Sequence, residues 1–304
     1  MKRVCYVTNC IVRENIGAMS EGAPPVGVGL RRAHFAAFLA NKREIDFVEI
    51  IAEAFVGVGG LAMRALARAK EHGPVLVHGV SLGLGNEGPV DARKLGDLAR
   101  FLEEVGADAY SDHVCACASD GIESFDLLPL PFHPAAIDYV ATRARQARAI
   151  LGQQVVLENI TYYARMPDSP CSEGQFYSEL LEAADAHLLL DVANVVVNAK
   201  NFPGGKPGTN TQVDARTLLD ALPLHRVKQI HLAGHRFDAR WGLTIDDHAS
   251  AVSDETLDLA RYALARIGAP VPVLIEWDQQ LPDFDVLLDE AERVRAALRP
   301  PGAR

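Results

Sequence analysis

The chain has 304 residues, 49% hydrophobic, 7% aromatic and 23% charged, which supplies enough apolar material for one large core and rules out a disordered or fibrous chain. Forty acidic against thirty basic residues give a formal charge of −10, which repels a phosphate backbone and, with no basic stripe, argues against nucleic acid as a partner. No run approaches the roughly 18 apolar residues of a membrane span, and the start MKRVCYVTNC leads to no secretory cleavage site, so a cytoplasmic protein without a membrane partner is expected.

Residues 1–26 are expected to form an N-terminal extension ahead of a single domain over 27–300. The first strand is expected at Gly27–Arg31 and the first helix at Arg32–Lys42, followed by strand Asp46–Ile50 and helix Leu61–His72. Next come strand Val75–Gly79, helix Asp91–Val105, strand Ala109–Val114 and a long loop, Ala116–His133, before helix Pro134–Leu151. Strand Val155–Ile160, helix Glu173–Ala186 and strand Leu188–Asn194 precede a second long loop, Asn198–Thr211, rich in turn formers. Helix Asp214–Leu222, strand Val227–His235, helix Asp254–Ile267, strand Pro272–Asp278 and helix Phe284–Leu298 complete the chain. Eight strands alternating with eight helices fit the α/β class and a single (β/α)8, or TIM, barrel. The open doubly wound sheet is the alternative, but no G-x-G-x-x-G follows the first strand, so a dinucleotide site has no support.

Metal-binding side chains recur at the C-terminal ends of these strands. The third strand ends at His78, the fourth at Asp112 and His113, the fifth at Glu158 and Asn159, and the sixth at Asp191 and Asn194. The seventh carries His231 and His235, its following loop Asp246 and His248, and the eighth Glu276 and Asp278. In a barrel these ends share one mouth. Carboxylates gathered there must protonate or find a counter-charge. The strand ends offer almost no Lys or Arg, so metal cations are the simplest remedy. A lone strand histidine is more often hydrogen-bonded structure than a ligand. Five of the ten histidines beside four carboxylates are hard to place that way, and so many donors exceed one ion's needs. The donor types suit Fe, Mn, Zn or Co.

Other residues read more weakly. Glu49 and Glu53 follow the second strand and could be ligand, base or surface pair. Asp112 should point away from His113 by strand alternation and is expected to be structural. His34, His72, His133, His187 and His225 fall on helices or loops and are expected to be solvated. Cys5, Cys10, Cys115, Cys117 and Cys171 lack the C-x-x-C spacing of a zinc or redox site and are expected to be free thiols.

In order along the chain, GVGLR, DFVEIIAE, VHGVSLGLG, SDHV, LENI, LLLDVANVVVNA, IHLAGH, IDDHA and LIEWD resemble the multinuclear non-heme iron-dependent oxidative enzymes, over about residues 26 to 290. The resemblance implies a TIM barrel holding two or three iron ions, with O2 as co-substrate. The expected activity is modification of a ribosomally made, Cys-containing precursor peptide, with a partner protein recognising the peptide's leader. Carried over motif by motif, it implies metal ligands at His78, His113, Glu158, Asp191, Asn194, His231, Asp246, His248 and Glu276. It also implies a catalytic or substrate role for His235, and Glu53 is the candidate base. Two features depart from the pattern: the segment Met1–Pro25, and the cysteines of HVCAC, where Cys115 or Cys117 would be packing residues, soft ligands or a redox relay. The rivals are another metal-dependent barrel, such as a sugar isomerase or zinc phosphodiesterase, and a non-catalytic metal- or peptide-binding barrel.

Overall fold

The computed structural model describes residues 23–203 and 214–299, so Cys5, Cys10 and most of the segment 198–211 lie outside the described residues. The barrel strands are β1 (Val26–Gly29), β2 (Val48–Ile51), β3 (Val75–His78), β4 (Ala109–His113), β7 (Gln154–Glu158), β8 (His187–Asp191), β9 (Val227–Leu232) and β12 (Val273–Ile275). They pair in parallel and close in the order β1-β2-β3-β4-β7-β8-β9-β12. The chain therefore folds as a (β/α)8 barrel.

Alternation along each strand sorts its residues. One set, including Val28, Ile50, Val77, Tyr110, Leu157, Leu190, Ile230 and Ile275, faces the helices and forms the main apolar core. The other set fills the barrel and ends in polar residues at its mouth. The helices start and stop where local chemistry dictates. Asp91 accepts from Arg93 N–H and Lys94 N–H ahead of helix Ala92–Val105, and Ser172 with Gln175 forms a capping box ahead of Glu173–Ala184. His133 caps Pro134–Leu151 rather than standing free in solvent.

Three segments differ from expectation. The loop after β4 is a hairpin, β5 (Ala116–Ser119) and β6 (Ile122–Leu128), turned by Asp120 and Gly121, both at positive φ. A second hairpin, β10 (Arg236–Asp238) and β11 (Leu243–Ile245), follows β9. The sixth barrel strand stops at Asp191, and Val192–Asn201 is a helix, so Asn194 stands in its first turn and not at a strand end. Asp191 itself causes the change of direction, because its side chain accepts from Asn194 N–H and caps the helix. His34 is likewise buried, with a ring nitrogen 2.9 Å from Pro282 O.

Candidate metal centre

Glu49, Ser111, His113, Glu158, Asp191, Gln229, His231 and Glu276 are buried residues of the strands or their C-terminal ends, and His78 closes β3. The register sets His113 beside Glu158, Asp191 beside His231, and His78 beside Ser111. Three groups of possible donors result: His78, His113 and Glu158; Glu158, Asp191, His231 and Glu276; and His248, Glu276 and Asp278. Within each group the donor atoms lie within 4.8 Å of one another. Glu158 belongs to the first two groups and Glu276 to the last two, so the groups form a continuous series.

Hydrogen bonds fix how the imidazoles face this series. His78 Nδ1 is 2.9 Å from Ser111 Oγ, whose hydroxyl donates to Val77 O, and this leaves Nε2 toward Glu158 at 3.5 Å. His113 Nε2 lies 3.2 Å from the same carboxylate oxygen. His231 Nδ1 is 3.0 Å from Glu276 and 3.6 Å from Glu158, while its Nε2 lies 3.2 Å from Glu49 Oε2. Glu49 thus stands behind His231, as carboxylates stand behind ligating histidines. Asn159 ties the Asp191 backbone through both amide atoms, donating to Asp191 O and accepting from Asp191 N–H.

His248 follows β11 with Nε2 2.9 Å from Asp246 and Nδ1 3.1 Å from Asp278. Its φ of +46° is a left-handed conformation that a histidine adopts at some cost. The backbone N–H groups of Asp278 and Gln279 donate to His248 O and hold it there.

Where almost no Lys or Arg was expected, Arg31 reaches into the mouth. It donates to Glu276 at 2.9 Å and to Asp278 at 2.7 Å. Gly29 leaves the space, since a Cβ there would sit 2.9 Å from the Arg31 guanidinium.

The electrostatics follow. Burial pushes Glu158 up to about 8 and Asp191 up to about 7, the latter helped by Asp246. Glu276 is held well below its ordinary value: burial opposes this, but His231, His248 and Arg31 prevail. Burial lowers His113, but Glu158 and Asp112 override it and raise the ring to about 9. His78, buried beside His113 and His231, stays well below its ordinary value and neutral.

Whether these residues suit metal ions can be judged from unmet valences. Asp191 Oδ2 is buried without a hydrogen-bond partner, and so is Glu158 Oε2, which has only the imidazoles of His113 and His78 at 3.2 and 3.5 Å. Oxygen and imidazole donors with open lone pairs, arranged around shared carboxylates, are a fit for borderline divalent ions.

The other candidates stand apart from these groups. Asn194 reaches the mouth, but its Oδ1 accepts from Thr161 O–H and its Nδ2 donates to Asn159 O. His235 lies beyond the end of β9 with Nε2 3.3 Å from Lys200 Nζ. Glu53 is exposed on a 3-10 turn after β2, accepting from Val80 N–H and Ser81 O–H. Asp112 is buried and outward-facing, bonded to Tyr110 O–H, Leu82 N–H and His113 N–H. Gly79 makes room for this brace, since a Cβ would meet the Tyr110 oxygen. Above the donors opens a cavity of about 880 Å³, walled by Cys117, Phe125, Tyr162 and Tyr163.

Fold and site together define a TIM barrel with a His/carboxylate site at the catalytic end. More particularly, the chain belongs to the family described as RiPP precursor modification enzyme MbnB/TglH/ChrH, whose profile matches residues 25–299; RiPPs are ribosomally synthesised, post-translationally modified peptides. Similar chains include UPF0276 proteins of Acaryochloris marina, 37% identical over 88% of this chain and 92% of that one, and of Pseudomonas aeruginosa, 38% identical over 91% and 93%. Among solved structures, a xylose isomerase domain containing protein of Salmonella typhimurium matches with TM-score 0.60 at 14% identity, over 92% of this chain and 99% of that one. A D-psicose 3-epimerase of Clostridium cellulolyticum matches with TM-score 0.55 at 12% identity, over 91% and 100%. These two likenesses concern the fold alone. Among the described residues, no helix is long and apolar enough to cross a membrane.

Proposed function

We propose that this chain is a multinuclear iron-dependent oxidase that uses O2 to modify a ribosomally made precursor peptide at cysteine, with a separate partner protein recognising the leader. The observation carrying this reading is the series of three donor groups joined through Glu158 and Glu276 beneath an open mouth, in a member of a peptide-modifying family. His78, His113 and Glu158 would hold one ion, and Glu158, Asp191, His231 and Glu276 a second. His248, Glu276 and Asp278, with Asp246 beside them, would hold a third. Asn194 would join by giving up its Thr161 hydrogen bond. When bound, iron supplies redox equivalents and favours a substrate thiolate over the thiol.

The protein's own groups do the remainder. Ser111 and Glu49 fix the outer nitrogens of His78 and His231, and Asn159 fixes Asp191. Phe125, Tyr162 and Tyr163 give one wall of the mouth an aromatic lining. His235, beyond the end of β9, is held neutral by burial and by Lys200, so it would be able to take a proton there. Glu53, anchored on Val80 and Ser81, would serve as a base toward a chain passing that edge.

Protein purified without oxygen should carry about two to three iron ions per chain. Zinc alone, with no activity restored by iron, would overturn the assignment. With a Cys-containing precursor, the partner and O2, the peptide mass should change, and serine in place of the peptide cysteine should abolish that change. An unchanged peptide beside turnover of a sugar or phosphodiester would transfer the protein to another class.

A further inference from the structure

Cys115 and Cys117 are not used by the chemistry above, yet their sulfurs lie 3.6 Å apart, and both are free. Packing accounts for Cys115, which is fully buried against Ile160 and Leu127. Cys117 belongs to the same cluster, with its thiol 3.7 Å from Val80 O, but unlike Cys115 it also forms part of the mouth wall beside His113 and Glu158. The backbone brings the pair together. In a flat strand, residues two apart stand about 6.6 Å from one another, near the upper limit of about 6.8 Å between α-carbons that a disulfide tolerates. Pairing of β5 with β6 is irregular between Ala116 and Ala118, where Cys117 alone stands opposite residues 124–127 of β6, with Phe125 at positive φ. The Cys117 backbone is pinned, because Asn86 Oδ1 accepts from the N–H of both Cys117 and Ala118.

We propose that Cys115 and Cys117 are a redox-active dithiol opening on the mouth, which reduces a peptide disulfide so that the cysteine reaches the centre as a thiol. Cys117 attacks one sulfur of the peptide disulfide. The peptide S–S bond breaks, a Cys117–peptide mixed disulfide forms, and the other peptide sulfur leaves as a thiolate that takes up a proton. Cys115 then loses its proton and attacks Cys117 Sγ, releasing the second peptide thiol and closing Cys115–Cys117. Two electrons pass from the protein dithiol to the peptide, and an external low-molecular-weight thiol or dithiol returns the pair to its reduced form. A disulfide between residues two apart closes a small, strained ring. Strained disulfides are the labile and catalytic ones rather than the structural ones. The choice of a peptide rests on the function proposed above, whereas the dithiol itself does not.

The full chain, kept without oxygen, is exposed to oxidised glutathione as the probe, quenched in acid, alkylated and cut with trypsin. No Lys or Arg lies between Arg100 and Arg143, so one fragment, Phe101–Arg143, carries Cys115 and Cys117 and no other cysteine. It should lose both alkylation sites and two hydrogens. Cys115→Ser should retain glutathione on Cys117, and Cys117→Ser should react at position 115 at least roughly tenfold more slowly, because a buried sulfur is poorly accessible. Wild-type fragment that stays alkylated at both positions, or that carries glutathione on Cys115, would overturn the proposal. A disulfide-linked Cys-containing peptide should then be reduced with one protein disulfide formed per peptide disulfide lost. A dithiol that reacts with glutathione and leaves that peptide oxidised would overturn the peptide as substrate. None of these readouts depends on iron or O2, so they stand or fall separately from the oxidase.

Discussion

On one flank of the mouth Glu276 and Asp278 lie against Arg31, with His231 and His248 close by. On the other, Glu158 lies among imidazoles and Asp191 accepts from Asn194 N–H, with no Lys or Arg in ion-pair contact with either among the described residues. The same functional group therefore behaves in two ways. Glu276 stays ionised, held well below its ordinary value despite burial, while Glu158 and Asp191 are driven up to about 8 and 7. A guanidinium that stays charged balances one flank, whereas the other has only imidazoles, whose protons an ion displaces, so the Glu158 flank is where a bound metal substitutes most for protein-borne charge.

That contrast can be broken most severely at Glu158. Glu158→Ala removes the carboxylate common to two donor groups, so metal affinity should fall roughly 100-fold or more and activity should fall with it. Full metal content by elemental analysis would refute the shared role. Glu49→Gln keeps the hydrogen-bonding shape behind His231 but removes its charge, and affinity should fall by roughly 10- to 100-fold with the fold retained. An unchanged metal titration would separate Glu49 from the centre. Arg31→Met attacks the balanced flank. It strands two carboxylates and should destabilise the metal-free chain by about 3 kcal/mol, with metal restoring part of the loss in thermal melts. Equal loss with and without metal would show that the two kinds of cation do not substitute for one another.

Acidity sharpens the comparison further. Glu158, Asp191 and His113 all have raised values, so each binds its proton more tightly in the folded chain than in the unfolded one. Their stabilising contribution is complete below their unfolded values and is lost between those and the folded ones, from 3.8 to about 7 for Asp191, 4.5 to about 8 for Glu158 and 6.5 to about 9 for His113. Metal-free protein should therefore lose stability across that range by up to about 1.4 kcal/mol per pH unit for each titrating group. Over the same range metal binding should tighten, because the ion displaces those protons. Denaturant titrations that are flat in pH would contradict the unbalanced flank. The smallest effect is expected at His72→Ala, away from the mouth with its ring near Arg43 O, where metal content and turnover should stay at wild-type levels.

The barrel and most donors were legible because one physical rule sets both. Period-two alternation ending in His78, His113, Glu158, His231 and Glu276 gives strands and points those side chains inward at the same time. The same rule, applied to the second strand, points to Glu49, which lies within β2, whereas reading Glu53 as the candidate base takes a residue past the strand's end. The run DVANVVV reads as strand because valine favours β structure, but burial on every side overrides that preference and the Asp191 cap begins a helix. Asp120–Gly121 was the available signal for the hairpin after β4. Arg31 is invisible as a counter-ion along the chain, since its partners lie 245 and 247 residues away.

Asp191 has one more consequence. One of its oxygens begins helix Val192–Asn201 by accepting from Asn194 N–H at 2.7 Å, and the other faces the donor groups without a partner. A single carboxylate therefore links the occupancy of the centre to the anchoring of a helix that packs against β9 and β11. Loading the centre should slow hydrogen exchange at the Asn194 amide, making one backbone proton a local reporter of whether the barrel is charged.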